Sequence, residues 1–155
     1  MPSELSVGDK APMFSLKDQD GKVIDLKSLK GKQVVLYFYP KDDTPGCTKE
    51  SCGFRDATKS IKRLGAVVLG VSLDGAESHR KFISKYELPF PLLCDEDATV
   101  SKMFGVYKLK NMYGKQYWGI ERSTFIIDPV GELKTVFRHV KVDGHVEEVL
   151  AALKG

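Results

Sequence analysis

Two cysteines that stand close together, Cys47 and Cys52, are the residues of this sequence best suited to chemistry. Thr44 is a predicted helix N-cap and Pro45 suits the first helical position, so Cys47 falls in the first turn. The N–H groups of a first turn lack helical partners, and the helix dipole adds partial positive charge there. Both favour a thiolate, the nucleophilic form of cysteine. The spacing predicts a reactive Cys47 thiol, with a buried and inert cysteine as the alternative.

Cys52 lies five residues after Cys47 on the same predicted helix. Positions five apart in an intact α-helix have Cα atoms about 8.6 Å apart, whereas a disulfide spans at most about 7 Å. A bond between the two cysteines therefore requires the first turns of the helix to unwind. Gly46 and Gly53 lower the helical propensity of this segment, which is consistent with such an opening. On these grounds alone, a bystander role for Cys52 stays open.

The residues around Cys47 match a known active-site pattern. Pro40, three residues, Thr44, two residues and Cys47 resemble the motif of the peroxiredoxins. The longer run 44–56 is similar to the bacterioferritin comigratory protein, or peroxiredoxin Q, branch of that family, and the similarity continues through residues 8–12, 90–93 and 122–128. The resemblance implies a thioredoxin-like fold and a thiol-dependent peroxidase acting on hydrogen peroxide and organic hydroperoxides. It implies no bound cofactor and no metal.

The resemblance also implies a role for each of five residues. Cys47 would be the peroxidatic cysteine, which attacks the peroxide and becomes a sulfenic acid. Cys52 would resolve that acid as an intramolecular disulfide, which thioredoxin would reduce by thiol exchange. The Thr44 hydroxyl and the Cys47 backbone N–H would donate hydrogen bonds to the charge that develops in the transition state, and Pro40 would shield the pocket from water. Arg122 matches the family's active-site arginine and would supply a fixed guanidinium.

Other reactive residues are not assigned to the site. Arg55 lies about 12 Å along the helix from Cys47, so we expect it to form a surface pair. Cys94 is interpreted as a packing residue. No histidine has a spacing to Cys47 that suggests a Cys–His dyad or a zinc site; the three are His79, His139 and His145. A cluster of aromatics could line the mouth of the pocket, form a docking surface or be ordinary surface and core residues: Tyr107, Tyr113, Tyr117 and Trp118.

A thioredoxin-like α/β arrangement is predicted to position these residues. A hairpin at Asp20-Gly21 joins short strands near 14–16 and 23–26. The buried runs 33–39 and 66–73 flank a helix over 44–65, which makes a right-handed βαβ unit. The remaining predicted elements are helices at 76–86, 98–104 and 146–153, an extended segment at 89–94, and a hairpin of strands 123–127 and 133–137. This order predicts a mixed central sheet flanked by helices, with an N-terminal β-hairpin extension.

Length and composition limit the other possibilities. A chain of 155 residues suits one domain, 1–155, with one core. Its 24 Lys and Arg are scattered among 21 Asp and Glu, so no basic stripe suggests nucleic acid or a membrane surface as a partner. Residues 1–5 do not resemble a secretory signal, and no run approaches the roughly 18 apolar residues of a membrane span. We expect a cytoplasmic protein and, without a long apolar C-terminal arm, a monomer.

Two other functions compete with the peroxidase hypothesis. A disulfide oxidoreductase is one, but that chemistry favours Cys-x-x-Cys, and the wider interval between Cys47 and Cys52 argues against it. A thioredoxin-fold binding module with redox-sensing cysteines is the other. Such a module would not need Pro40, Thr44, Cys47 and Arg122 together, so a thiol peroxidase is the leading hypothesis.

Overall fold

The computed structural model of the protein describes residues 4–155. Its strands, in chain order, are β1 Ser15–Lys17, β2 Val23–Asp25, β3 Gln33–Phe38, β4 Ala66–Ser72, β5 Leu92–Cys94, β6 Tyr107–Met112, β7 Lys115–Ile120, β8 Ser123–Ile127 and β9 Leu133–Phe137. Its α-helices are α1 Pro45–Asp56, α2 Thr58–Arg63, α3 Ala76–Tyr86, α4 Thr99–Met103 and α5 His145–Lys154, and a 3₁₀ turn spans Leu26–Leu29.

A five-stranded mixed sheet forms the centre of the fold. Its strand order is β5, β4, β3, β8, β9. The strands β3, β4 and β5 are parallel to one another. The strand β8 runs antiparallel to β3, and β9 runs antiparallel to β8. The predicted thioredoxin-like fold with a mixed central sheet is confirmed.

The central strand β3 is buried from Val34 to Phe38, with side chains that are apolar or aromatic because both of its faces are covered. Val34, Leu36 and Phe38 belong to one buried cluster, which includes side chains of α4 and the 3₁₀ turn. Val35 and Tyr37 belong to the other cluster, which is closed by α1, α2, α3 and α5. The helix α1 is thereby fixed directly after the end of β3.

Two small hairpins lie outside the central sheet. The first pairs β1 with β2 antiparallel, as the sequence predicts. The second pairs β6 with β7 and was not predicted. Its turn residues Tyr113 and Gly114 have φ of 53° and 80°, the left-handed conformation of a tight two-residue hairpin turn. The aromatic-Gly turn and the alternation of Lys with apolar residues in β6 were the signals available in the sequence.

The single helix predicted over 44–65 is wrong in one respect, because the structure divides it into α1 and α2 at Ala57. The Ala57 N–H lies within bonding distance of both the Gly53 and the Phe54 carbonyls, as in a tightened 3₁₀ turn. The Thr58 hydroxyl also donates to the Phe54 carbonyl at 3.0 Å, a side-chain bond that bends helices. As a result, α1 is a separate helix of 12 residues.

The N-terminal residues 1–3, on which the expectation about a signal segment partly depends, lie outside the described residues. None of the helices within residues 4–155 has the length and apolar character needed to cross a membrane. The longest of these helices is α1.

Candidate active site

Cys47 lies in the first turn of α1 and is 1% exposed. Thr44 is the N-cap residue with an extended backbone, but its side chain does not cap the helix. The Thr44 hydroxyl donates instead to the Lys41 carbonyl at 2.9 Å. Since this side chain bonds backward into the loop, it leaves the N–H groups of the first turn available to a ligand. Pro40, half-buried, begins the same loop.

Arg122 reaches Cys47 from its position just before β8, the strand next to β3. Because β8 pairs antiparallel with β3, Ser123 lies opposite Phe38, and Arg122 comes beside the start of α1. Its Nη2 lies 3.4 Å from the Cys47 Sγ. Arg55 instead bonds Asp56 and the Tyr86 carbonyl, so the structure places Arg122, and not Arg55, against the thiol.

Gly46 is required for this approach of the arginine. A Cβ at position 46 would lie 3.1 Å from Nη2 of Arg122, closer than nearly all real contacts of such an atom. Any larger residue would push the guanidinium away from Cys47. The sequence alone indicated only that Gly46 weakens the helix.

Glu50 is a member of the site that the sequence did not reveal. Its Oε1 accepts a hydrogen bond from Arg122 Nη1 at 2.6 Å, and its side chain is fully buried. Burial raises the pKa of Glu50 to about 7, against the opposing effect of Arg122. Burial also acts to lower the pKa of Arg122, but the charges of Glu50 and Cys47 outweigh it and raise that pKa. The spacing Cys47 to Glu50, three residues apart on one helix face, was the available signal.

Cys52 lies on a different side of α1 from Cys47. It is half-buried in an open groove between α1 and α5, which is lined also by Lys49, Gly53, Asp143 and Val146. Both cysteines are free thiols, and α1 is a continuous helix between them. The intact helix therefore keeps the two sulfurs apart, as the spacing predicts.

The remaining candidates have contacts of their own. The Cys94 thiol donates to the Asp18 carbonyl at 3.7 Å. Burial, followed by the charges of Glu96 and Asp18, raises the pKa of Cys94 to about 11. This thiol is therefore a poor nucleophile at neutral pH.

The three histidines lie in separate environments. His139 pairs with Glu121. The Nε2 of His145 bonds the Thr124 hydroxyl, and burial lowers the pKa of His145. His79 is fully buried against Asp42, a contact that the sequence did not indicate.

Comparison with known proteins assigns the chain to a family. The AhpC/TSA family model matches residues 7–136, and the chain belongs to that family. Within the family its relatives are the Bcp peroxiredoxins. Peroxiredoxin Bcp of Bacillus subtilis is 51% identical over 150 residues, which is 97% of this chain and 96% of the relative. The chain is therefore a peroxiredoxin, a thiol-dependent peroxidase.

Solved structures agree with this assignment. The bacterioferritin comigratory protein of Xanthomonas campestris superposes with a TM-score of 0.87 at 45% identity, covering 91% of this chain and 90% of that one. A cysteine-to-serine mutant of Xylella fastidiosa PrxQ superposes with a TM-score of 0.93 at 40% identity, covering 99% and 98%. These similarities extend over nearly the whole fold, including the segment that holds Cys47.

Proposed function

We propose that Cys47 is the peroxidatic cysteine of a thioredoxin-dependent peroxidase. The observation that supports it best is the guanidinium of Arg122, which lies 3.4 Å from the Cys47 sulfur and is held by Glu50 at 2.6 Å. A buried thiol beside a fixed cation at a helix N-terminus is an environment that favours the thiolate. Packing alone does not require such an arrangement.

In the first step the Cys47 thiolate attacks one oxygen of the peroxide. An S–O bond forms as the O–O bond breaks, the sulfur becomes a sulfenic acid, and the leaving alkoxide or hydroxide takes up a proton. Arg122 and the N–H of Cys47 stabilise the negative charge that spreads over sulfur and oxygen. The Thr44 hydroxyl donates its hydrogen bond to the Lys41 carbonyl, so its oxygen accepts a hydrogen bond from the O–H of the hydroperoxide instead of acting as the donor expected from the sequence. Pro40, which has no N–H, shields the pocket without competing for the peroxide.

In the second step the thiol of Cys52 condenses with the sulfenic acid of Cys47. A disulfide forms and one water leaves. The first turns of α1 must unwind for this bond, since an intact helix holds the two Cα atoms about 8.6 Å apart. The dithiol of thioredoxin then reduces the disulfide by exchange and returns both cysteines to thiols.

The substrates and setting follow from the relatives and from the site. Alkyl peroxide reduction activity is named for the Xanthomonas campestris relative, so we include alkyl hydroperoxides with hydrogen peroxide. Pro40, Thr44, Cys47, Cys52 and Arg122 belong to one chain, so a monomer suffices for the cycle. Thioredoxin keeps thiols reduced in the cytoplasm, where we expect the enzyme to act.

A single-turnover experiment tests this function. Reduced protein is mixed with one equivalent of hydrogen peroxide, and peroxide loss is followed together with the intact mass. The expected result is rapid consumption with the loss of two hydrogen atoms from the protein and a Cys47–Cys52 bridge in the peptide map. Peroxide that persists over many minutes, or a bridge that involves Cys94, would contradict the proposal.

A further inference from the structure

A buried cluster of polar side chains surrounds Asp42, which lies in the loop that joins β3 to α1. The Asp42 carboxylate is 3% exposed. It accepts hydrogen bonds from the Tyr39 hydroxyl at 2.5 Å and the Ser78 hydroxyl at 2.8 Å, and its Oδ2 lies 2.7 Å from His79 Nδ1. A carboxylate with three polar partners in the interior is fixed in place, because loss of any partner leaves a buried group unsatisfied.

The cluster continues into the elements on either side. The Asp42 N–H donates to Asp74 Oδ2 at 2.8 Å, and the Ser72 hydroxyl donates to the same oxygen at 2.7 Å. On the other side, His79 Nε2 donates to the Leu93 carbonyl at 2.9 Å. The loop is thus attached to the ends of β4 and β5 and to α3. None of these partners lies on α1, so the attachment does not depend on that helix being wound.

A metal ion is the alternative occupant of this cluster. Within residues 4–155, the single group of three potential ligands that lie close enough for a shared ion is Asp42, Asp74 and His79, with ligand atoms within 4.8 Å. Both carboxylate oxygens of Asp42, the bonded oxygen of Asp74 and both nitrogens of His79 already have hydrogen-bond partners. An ion would have to displace these bonds, so the cluster is complete without one.

One peptide group connects the cluster to the reacting atoms. The N–H of Asp42 and the carbonyl of Lys41 belong to the same planar unit. Its N–H side is held by Asp74, and its carbonyl accepts the proton of the Thr44 hydroxyl. We propose that Asp42, fixed by Tyr39, Ser78 and His79, is a positioning residue that sets this peptide group and thereby aims the Thr44 oxygen at the peroxide.

This inference rests on the proposed function and names a part of the site that lies outside the five residues assigned from the sequence. Asp42 does not touch Cys47; it acts through Thr44. A displacement of about 1 Å in a positioned group can lower a reaction rate by about 100-fold. Loss of the Asp42 carboxylate should therefore slow peroxide reduction without removing any group that contacts the substrate.

A double-mutant cycle tests the inference. Asp42→Asn and Thr44→Val are made singly and together, and the second-order rate of Cys47 oxidation by hydrogen peroxide is measured. In the wild-type background, Asp42→Asn is expected to lower this rate about 10- to 100-fold. In the Thr44→Val background it should have almost no further effect on the rate, because Asp42 acts through the Thr44 hydroxyl. The pH dependence of Cys47 alkylation by iodoacetamide should be unchanged, since Arg122 and α1 remain in place.

Asp95→Asn is the matched control. Asp95 is equally buried and accepts bonds from the backbone of Val100 and from both the backbone and the hydroxyl of Ser101, but it has no bond to the loop. This variant should lower the melting temperature and leave the peroxide rate near that of the wild type. Should Asp42→Asn not fold, Ser78→Ala removes one bond to the same carboxylate and should show a smaller loss that is again absent with Thr44→Val.

The possible results distinguish a failure of the positioning role of Asp42 from a failure of the proposed peroxidase function. An equal fall caused by Asp42→Asn in both backgrounds would mean a general loss of structure and would overturn the positioning role. A folded Asp42→Asn or Ser78→Ala variant with the wild-type rate would overturn it too. If Cys47 of the wild type is not oxidised by peroxide, the proposed function itself fails and the inference falls with it.

Discussion

At the scale of single residues, the guanidinium of Arg122 lies between the carboxyl group of Glu50 and the sulfur of Cys47. One terminal nitrogen of Arg122 donates a hydrogen bond to Glu50, and the other donates to the sulfur of Cys47. The planar fork of donors makes this double contact possible, which the point charge of a lysine could not reproduce. Glu50 accepts this bond through one oxygen, and within residues 4–155 its buried Oε2 has no hydrogen-bond partner. The carboxylate therefore positions the arginine at a cost in desolvation.

That cost should appear in the pH dependence of stability. The pKa of Glu50 is raised from 4.5 to about 7 by burial, so the folded state binds one more proton than the unfolded state between these pH values. Stability from this proton is complete below pH 4.5 and is lost as the pH rises through 7. Relative to Glu50→Gln, the wild type should lose on the order of 2–3 kcal/mol of unfolding free energy over that range. Urea unfolding of both proteins at several pH values measures it; parallel pH profiles would refute the assignment.

Cys52 should matter only after Cys47 has reacted. In Cys52→Ser the first oxidation by peroxide is expected at the wild-type rate, because Cys52 lies in the groove beside α5 and not with Arg122. The variant should then retain a sulfenic acid, trapped by dimedone, and lose turnover with thioredoxin. Cys94→Ser is the control and should leave both steps intact. Unchanged thioredoxin-dependent turnover in Cys52→Ser would rule out the resolving role.

At the scale of elements, the proposed cycle requires α1 both to hold Cys47 and to unwind. It ends at the break at Ala57, so α2 can stay packed while α1 opens. An ion pair between Lys49 and Asp143 connects α1 to the segment that precedes α5. Gly53 allows α1 to pack closely against α5, since a Cβ there would lie 2.9 Å from the Cγ2 of Val146.

The helical propensity of α1 should control the rate of disulfide formation. Gly53→Ala is made in a Val146→Ala background, where the added methyl group no longer meets a valine side chain. Relative to Val146→Ala alone, it should stabilise α1 by up to about 1 kcal/mol and slow the disulfide step up to about fivefold. Stopped-flow mixing with peroxide measures this step. Equal rates in the two proteins would show that unwinding of α1 does not limit it.

The sequence predicted those elements whose signals are local. Thr44 and Pro45 marked the start of α1, and the uninterrupted apolar run of β3 indicated a strand buried on both faces. The contact between Asp42 and His79 joins residues 37 positions apart, and it depends on how α3 packs against β5, so no local pattern could reveal it. The burial of Glu50 has the same origin. A glutamate on a helix normally indicates a solvated face, and its partner Arg122 comes from a distant part of the chain, just before β8.

At the scale of the whole molecule, the site forms where β3 ends, α1 begins and β8 starts, which is where α/β sheets commonly place their ligands. The hairpin of β6 and β7 adds a charged surface beside it. Its register pairs Lys108 with Gly119, Lys110 with Tyr117 and Met112 with Lys115. These alternate pairs point to one face of the hairpin, so that face holds all three of its lysines.

The lysine face of the hairpin consists of Lys108, Lys110 and Lys115. Of these, Lys110 lies close enough to Cys47 and Arg122 for their charges to act on it. Burial lowers the pKa of Lys110, and the charge of Arg122 adds to this, while Cys47 and Glu121 act in the opposite direction. Residues 107–120 contain no acidic side chain. A positive surface beside a site accelerates the approach of an acidic partner and is screened by salt.

We therefore expect reduction by an acidic thioredoxin to depend on ionic strength. Its kcat/KM should fall as salt is raised, whereas Cys47 oxidation by hydrogen peroxide, which is uncharged, should change little. Replacing Lys108 and Lys115 with alanine should lower kcat/KM for thioredoxin at low salt and flatten its salt dependence. Turnover driven by dithiothreitol, a small uncharged dithiol, should be unaffected in the same variant. A salt dependence that persists in full without these lysines would place the docking charge elsewhere on the surface, because screening acts only on charges that take part in the encounter.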